Sequence, residues 1–221
     1  MWIPPGGLSF RSDYFQRPNA NPIGPPYSAI YNKNSIVIVS DIAQGFNPPN
    51  VMSALDTTYP YLPAQFAQCT LSGTPINGST IYLYLRVSNP TSANVAGMLL
   101  NVFQGSTTAK IVSDFQFNAV ATFTLNSVPA AGDVYTFWVI GQTYYVAQNG
   151  AIVCTYYDTT ALYASGTVGF GGYYPTTTTD ITFSNFTSGD FRIIEVARPQ
   201  ATLRRRGTGG TDWWLNLPEW F

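Results

Sequence analysis

Residues 133–191 read DVYTFWVIGQTYYVAQNGAIVCTYYDTTALYASGTVGFGGYYPTTTTDITFSNFTSGDF, and they form the most regular part of the chain. Segments Val134–Ile140 and Thr143–Gln148 are rich in β-branched and aromatic residues, and Gly141-Gln142 separates them, which predicts one tight hairpin. A second turn follows at Asn149-Gly150, a residue pair that tolerates positive φ at both central positions of a type I′ turn. The stretch therefore predicts antiparallel strands joined by short turns.

The order of features in this stretch carries a resemblance to a known family. A strand ending in Asn149-Gly150 precedes a strand ending at Asp158, and Ser165–Phe170 and a last strand, ITFSNF, follow. This order resembles the C-terminal half of concanavalin A-like lectin and glucanase jelly rolls. Upstream, Ser12–Asn19 (SDYFQRPN) looks like the opening of such domains in phage and bacterial proteins. The resemblance, over residues 12–191, implies an all-β fold built as a single double-sheet jelly roll, and it supports a fold better than an activity.

The rest of the chain agrees with an all-β class. Only 10% of the 221 residues are charged, compared with about 25% in an average soluble domain, so the surface is expected to be polar but uncharged. No segment has a sustained 3.6-residue period, and we expect at most one helical turn, near Val51–Leu55. Further strand-like runs, separated by turn residues, are Ser35–Ser40, Gln65–Leu71, Thr80–Val87, Val95–Phe103, Ala109–Phe117 and Thr122–Leu125.

The run Thr80–Val87 alternates strictly between two faces. The predicted core face carries Ile81, Leu83, Leu85 and Val87. The opposite face carries Tyr82, Tyr84 and Arg86. This second face is either a binding surface or a face of the sandwich that a loop covers, and we favour the covered face.

Segments of different composition flank the predicted body. Residues 1–34 are rich in Pro, Asn and Gly, which disfavour helices and central strands, and they predict an extended N-terminal arm. Residues 35–197 form the predicted β-sandwich, and residues 198–221 form a C-terminal arm. This arm combines a glycine-rich linker with three of the five Trp of the chain, which predicts an interaction arm. Its predicted partner-binding residues are Arg204, Arg205, Arg206, Trp213, Trp214, Leu215, Leu217, Trp220 and Phe221.

Charge limits the partners of the chain. Arg204–Arg206 could contact nucleic acid, but a net charge of −1 gives no long-range attraction for it. A solvated linker, or contact with an acidic patch of a neighbour, is the favoured interpretation of this cluster. No window approaches 18 apolar residues, and the start of the chain lacks the features of a signal peptide. We therefore expect no nucleic acid and no membrane as partner, and synthesis in the cytoplasm.

Catalytic chemistry is poorly represented in the sequence. The chain has no His, and its only Glu residues, Glu195 and Glu219, follow the predicted strands. Glucanases of the resembling fold need paired carboxylates, so their site cannot be assigned to any position here. The Asp residues are scattered without the spacing of a hard-cation site, and Asp158-Thr159-Thr160 and Ser188-Gly189-Asp190 are interpreted as turns. Cys69 and Cys154 are far apart. The sequence predicts no enzyme, no cofactor, no disulfide and no metal site, although a calcium held by distant loops stays open.

Tyrosines in or beside predicted turns are the candidates for binding a sugar, because a flat ring stacks on a pyranose face. These candidates are Tyr59, Tyr61, Tyr156, Tyr157, Tyr173 and Tyr174. The alternative, which we favour, is that the tyrosines pack the edges of the sheets.

Together, the resemblance and the arms predict a structural virion protein of a tailed phage. Its specific role would be capsid decoration, with the arms attaching it to other virion proteins and to further copies of itself in a homo-oligomer. The alternative is a receptor- or glycan-binding module on a phage tail or fibre, in which the tyrosines carry the function. A polysaccharide hydrolase is disfavoured because the paired carboxylates are missing.

Overall fold

The structure is a computed structural model that describes residues 8–20, 23–29, 34–45, 50–76, 78–90, 95–113, 118–176 and 179–191. These residues form fifteen β-strands and no helix. The strands are β1 (Leu8–Asp13), β2 (Tyr27–Ser28), β3 (Asn34–Val39), β4 (Ile42–Gly45), β5 (Asn50–Asp56), β6 (Gln65–Leu71), β7 (Thr80–Ser88), β8 (Ala96–Phe103), β9 (Thr108–Ser113), β10 (Asn118–Thr124), β11 (Val134–Ile140), β12 (Thr143–Gln148), β13 (Ala151–Tyr157), β14 (Thr167–Tyr174) and β15 (Thr182–Phe191). The predicted C-terminal arm, with its partner-binding residues, lies outside the described residues.

The strands form two sheets that are antiparallel apart from a short parallel pairing of β3 with β5. In sheet A the order is β13-β12-β11-β6-β15, and β15 also pairs with β1 and β4. In sheet B the order is β10-β9-β8-β7-β14-β5. Strand β3 connects the sheets, because Asn34 and Ser35 pair with β5 whereas Ile36–Val39 pair with β4. The all-β double-sheet sandwich predicted from the sequence is confirmed.

Side chains from both sheets meet in one core, and Phe170 of β14 lies at its centre. The Phe170 ring stacks at 4.5 Å on Phe186 and meets Phe183 edge-on at 5.1 Å, both from β15. The ring of Phe15, in the loop after β1, lies 5.6 Å from the same ring. Because each buried aromatic ring removes about 150–250 Å² from water, this cluster joins the two sheets and the loop after β1.

The structure corrects the expectation for Val51–Leu55 and adds a paired strand to the expectation for residues 1–34. Val51–Leu55 lies in strand β5 and forms no helical turn, because β5 pairs with β14 along its whole length. Within residues 1–34, assigned above to an extended arm, β1 pairs with all of Phe186–Phe191 in β15. Strand pairing across the fold thus decides the conformation of both segments.

The turn at Asn149-Gly150 has the geometry that its sequence predicts. Both residues have positive φ, 52° for Asn149 and 82° for Gly150, as a type I′ turn requires. The Asn149 side chain also donates a hydrogen bond of 2.8 Å to Asp133 and accepts one of 2.8 Å from the N–H of Val134. The turn and the start of β11 are therefore fixed by the same side chain.

Replacing Gly150 by valine is expected to lower the free energy of unfolding by about 1–2 kcal/mol, because β-branched residues resist positive φ. A Cβ at this position would have no atom within 4 Å, so the cost is conformational and not steric. Urea denaturation of Gly150→Val beside Gly150→Asn, which tolerates this φ, measures the effect. Equal midpoints for the two variants would contradict this explanation.

Arg86 interrupts the alternation of β7. Its φ is +53°, and the register with β8 shifts between Leu85 and Ser88. The bulge turns the Arg86 side chain inward to sheet A and turns Val87 outward, where it packs in the cluster of Tyr82 and Tyr84. The predicted positions of Arg86 and Val87 are therefore exchanged. Tyr82 and Tyr84 are buried, which agrees with a covered outer face.

The Arg86 guanidinium connects three loops. Although the residue is buried, five hydrogen bonds satisfy its charged end. The acceptors are the carbonyl oxygens of Pro63 (2.8 and 3.1 Å), Gly141 (2.7 Å) and Tyr163 (2.8 Å) and the hydroxyl of Tyr144 (3.3 Å). In addition, the Arg86 backbone N–H donates to Gln65 Oε1 at 2.7 Å. Hydrogen bonds to a charged group are stronger than neutral ones, so this residue fixes all three loops at one end of the sandwich.

Candidate functional site

Sheet A has a gap beside β15. On one side of this strand, β1 pairs with Phe186–Phe191 and β4 pairs with Thr182 and Phe183. Among the described strands, none pairs with Ser184 or Asn185 on that side. The loop that follows β1 therefore lies at one border of this opening. The turn between β3 and β4 lies at the other border.

An open pocket of about 390 Å³ lies at this gap. The loop after β1 provides one wall, the β3–β4 turn provides the other, and β6 and β15 provide the floor. The six lining residues are Tyr14, Gln16, Asp41, Thr70, Ser184 and Asn185. All six have polar side chains, Asp41 is the only charged one, and the Tyr14 side chain is 58% exposed. The volume is at the lower end of the range for small-molecule sites, about 300–1,000 Å³.

Both walls of the pocket contain non-glycine residues with positive φ. Phe15 has φ of 57°, and Ser40 and Asp41 have φ of 52° and 62°. Such a conformation costs on the order of 1–3 kcal/mol for each residue and persists where the surroundings fix it, often at ligand sites. Here the surroundings are the core, which buries the Phe15 ring, and a hydrogen bond of 2.9 Å from the Ser40 N–H to Asn19.

The conformation of Phe15 directs its neighbours to the pocket. The Phe15 N–H donates to Asp13 at 2.7 Å, and Asp13 also forms an ion pair of 2.8 Å with Arg17. Because Phe15 points into the core, the flanking residues Tyr14 and Gln16 are exposed. The loop is thus fixed at both ends, and Tyr14 is presented on a rigid backbone.

The arrangement suits an uncharged polar ligand with a flat or apolar face. Amide, carboxylate and hydroxyl groups can accept and donate hydrogen bonds, while an exposed tyrosine ring offers a stacking surface. In the part of the chain that the structure describes, no group of three or more Cys, His, Asp and Glu could hold a metal ion. The lining groups could hydrogen-bond to the hydroxyl groups of a ligand.

The tyrosines named as candidates for binding a sugar lie in three other places. Tyr59 and Tyr61 are in contact, with ring centres 4.6 Å apart. The Tyr61 hydroxyl donates to buried Asp56 at 3.0 Å and shares a 2.6 Å hydrogen bond with Ser188. Burial and the nearby Asp56 carboxylate raise the pKa of Tyr61 well above its ordinary value, although the Ser188 hydrogen bond lowers it. This tyrosine is therefore a neutral structural link between β5 and β15.

The other two pairs are Tyr156-Tyr157 and Tyr173-Tyr174. In each pair one side chain is covered and the other is exposed, because successive strand residues point to opposite faces. Tyr156 packs beside core residue Tyr144, whereas Tyr157 is 59% exposed and donates to Gln142 at 2.6 Å. Tyr173 is 36% exposed.

Tyr174 is fully buried, and its ring lies against Gly45. This position corrects the expectation for Tyr174, because a sugar cannot reach a residue in the core. None of the six predicted tyrosines is among the residues that line the pocket. The sequence contained one signal for Tyr14: in the SDYFQRPN segment it stands directly before the apolar residue Phe15.

Asp158 serves the backbone of the turn that follows β13. The Asp158 carboxylate accepts the N–H groups of Thr160 at 2.9 Å and Leu162 at 3.2 Å, as predicted for a turn. Burial raises the pKa of Asp158, but these hydrogen bonds outweigh burial and lower the pKa overall. Ser188-Gly189-Asp190, by contrast, was expected to be a turn and lies inside β15. Asp158 is thus kept ionised by the loop that it organises.

The two cysteines are free, and Cys69 is buried. Burial raises the pKa of the Cys69 thiol to about 12. The thiol is therefore protonated at neutral pH, in agreement with a structural role.

Within the described residues, no helix has the length and apolar character needed to cross a membrane.

Comparisons with known proteins bear on the fold. No family model and no curated protein sequence matches this chain. In structure, the chain is similar to a protein of unknown function with a galectin-like fold from Bacillus subtilis, with a TM-score of 0.55 and 8% identity over 85% of this chain and 96% of that one. It is also similar to a β-glucanase of Bacillus licheniformis, with a TM-score of 0.56 and 9% identity over 85% and 100% of the two chains.

A third similar structure is the exoplasmic/lumenal domain of VIP36 in its Ca²⁺- and mannose-bound form, with a TM-score of 0.52 and 10% identity over 77% of this chain and 84% of that one. Identities this low show the fold alone. The fold is a galectin-like and concanavalin A-like jelly roll, as the sequence resemblance implied.

Proposed function

We propose that this protein is a carbohydrate-binding domain and that the pocket beside Tyr14 binds its glycan. The observation that carries the proposal is an exposed tyrosine on a fixed loop, with five polar side chains around the same pocket. Stacking on the ring and hydrogen bonds to the sugar hydroxyls would both be available. Folds of the same architecture occur in a mannose-bound domain and in a glucanase, which supports a glycan as the ligand class.

The proposal is for binding without hydrolysis. Glycosidases of the usual kind need two carboxyl groups about 5–10 Å apart on opposite sides of the scissile bond. The pocket provides one, Asp41, and the chain has no His that could act as a base instead.

We keep a phage tail or fibre, the setting that the sequence suggests for such a module, as part of the proposal. Capsid decoration rests on the sequence resemblance and the two terminal arms, and no described residue supports it.

A glycan array followed by titration tests this function. Wild-type protein is expected to bind at least one neutral glycan, and Tyr14→Ala is expected to weaken binding about tenfold, the effect of losing a stacking contact of about 1–1.5 kcal/mol. Tyr173→Ala is the matched control, because this tyrosine is also exposed but does not line the pocket. The same glycans should remain uncleaved after long incubation.

Three results would contradict the proposal. Absence of binding to every glycan would remove the function, and a greater loss for Tyr173→Ala than for Tyr14→Ala would place the site elsewhere. Release of shorter saccharides would show that the protein is an enzyme.

A further inference from the structure

Within the part of the chain that the structure describes, strand β13 has one unpaired edge. It pairs with β12 on one side, and no described strand pairs with it on the other. Strand β10, the last strand of sheet B, lies beside it at the same border of the sandwich. Unpaired backbone groups along such an edge form a template on which another strand can pair.

The register shows which backbone groups of β13 are free. The Asp158 N–H donates to the carbonyl oxygen of Gln142 at 2.9 Å. In an antiparallel pair the residues that exchange hydrogen bonds alternate with residues that do not, so Tyr156 and Cys154 also turn their backbone groups to β12. The N–H and C=O groups of Thr155 and Tyr157 therefore point to the free edge. A bulge shifts the register between Ile152 and Cys154, and the regular part of the edge is Cys154–Tyr157.

This border lacks the charges that usually protect an edge strand. Residues 115–157, which include β10 and β13, contain a single charged residue, Asp133, and Asp133 is buried. Strand β13 itself contains no charged residue, no Pro and no Gly. In addition, its apolar and aromatic side chains reach solvent, with Ile152 60% and Tyr157 59% exposed. Natural sheets normally interrupt such edges with Lys or Pro.

We propose that β13 pairs antiparallel with β13 of a second copy of this chain, which extends sheet A across a two-fold dimer. Two-fold symmetry brings identical residues opposite or near one another. Like charges in such positions repel, and β13, which carries no charge, has no such repulsion to overcome. The exposed side chains of Ile152 and Tyr157 would be covered by the same contact.

The sharpest test is Thr155→Pro with Thr155→Val as its matched control. Proline has no N–H, and at Thr155 the missing N–H is one that points to the free edge, so the pairing with β12 is kept. Valine keeps the N–H and the β-branched shape. Sedimentation velocity over a wide range of concentrations should show a dimer for the wild type and for Thr155→Val, and a monomer for Thr155→Pro.

A second variant covers the case in which proline prevents folding. Thr155→Lys keeps the backbone and places two like charges near the two-fold axis, and it should also be a folded monomer by circular dichroism and sedimentation. Ala131→Lys adds the same charge in an exposed loop away from the edge and should stay dimeric. A monomeric wild type, or a folded Thr155→Pro or Thr155→Lys variant that remains dimeric, would overturn the proposal.

Discussion

Replacing Arg86 by methionine is expected to lower the free energy of unfolding by about 3–5 kcal/mol. Methionine fills most of the volume but donates no hydrogen bond. The carbonyl oxygens of Pro63, Gly141 and Tyr163 would then be left without the donor that they share. Because desolvated carbonyl groups cost about 1–3 kcal/mol each when unpaired, the loss should approach a large part of the total stability, which is typically about 5–15 kcal/mol.

Chemical denaturation measures this effect, and two further variants interpret it. Arg86→Lys keeps the charge but cannot reach all acceptors in the same geometry, so an intermediate loss is expected. Lys110→Met removes a cation that lies partly exposed over the Phe103 ring, and it should cost less than about 1 kcal/mol. If Arg86→Met were no worse than Lys110→Met, the connection of the three loops through Arg86 would contribute little to stability.

Gly171→Ala is expected to cost about 3 kcal/mol, near the upper end for overpacking a well-packed interior. Gly171 lies in β14 between β5 and β7, and a Cβ built there would be 2.1 Å from the carbonyl oxygen of Met52 in β5. This neighbour is a backbone atom, so the two strands would have to separate. The sheet interior allows no such movement without breaking pairing on one side.

Gly105→Ala is the matched control for Gly171→Ala. Gly105 has a positive φ of 68° in a turn, but no atom lies within 4 Å of the added Cβ. It should cost only about 1–2 kcal/mol for conformation. Thermal and urea unfolding of the two variants would separate crowding from conformation, and a smaller loss at Gly171 would show that β5 moves away easily.

Local signals explain which parts of the fold could be predicted from the sequence. The turn at Asn149-Gly150 and the strands β11 to β13 depend on residues close in the chain, and they were predicted within a residue or two. The exchange of Arg86 and Val87 could not be predicted, because a strictly alternating pattern assumes a regular ladder. The positive φ of Arg86 accompanies contacts with loops that are 23, 55 and 77 residues away in sequence.

The candidate site was missed for a similar reason. Tyr14 and Asn185 meet only because β1 pairs with β15. The gap between β1 and β4 arises from how three strands pair, so no single segment of sequence indicates it. The sequence indicated aromatic side chains in turns as sugar-binding candidates. In the structure, Tyr61 and Tyr174 instead support the interior, and the exposed ring at the pocket comes from a loop whose neighbour Phe15 is buried.

The position of β15 in the sheet affects how the protein is made. On a ribosome, β1, β4 and β6 emerge before β15, the strand with which all three pair. About 170 residues separate β1 from β15, so at about 5–20 residues per second β1 waits roughly 10–30 s for its partner. During translation these strands are open to pairing with nascent chains on neighbouring ribosomes. A chaperone that shields these strands in this interval should therefore raise the yield of folded protein.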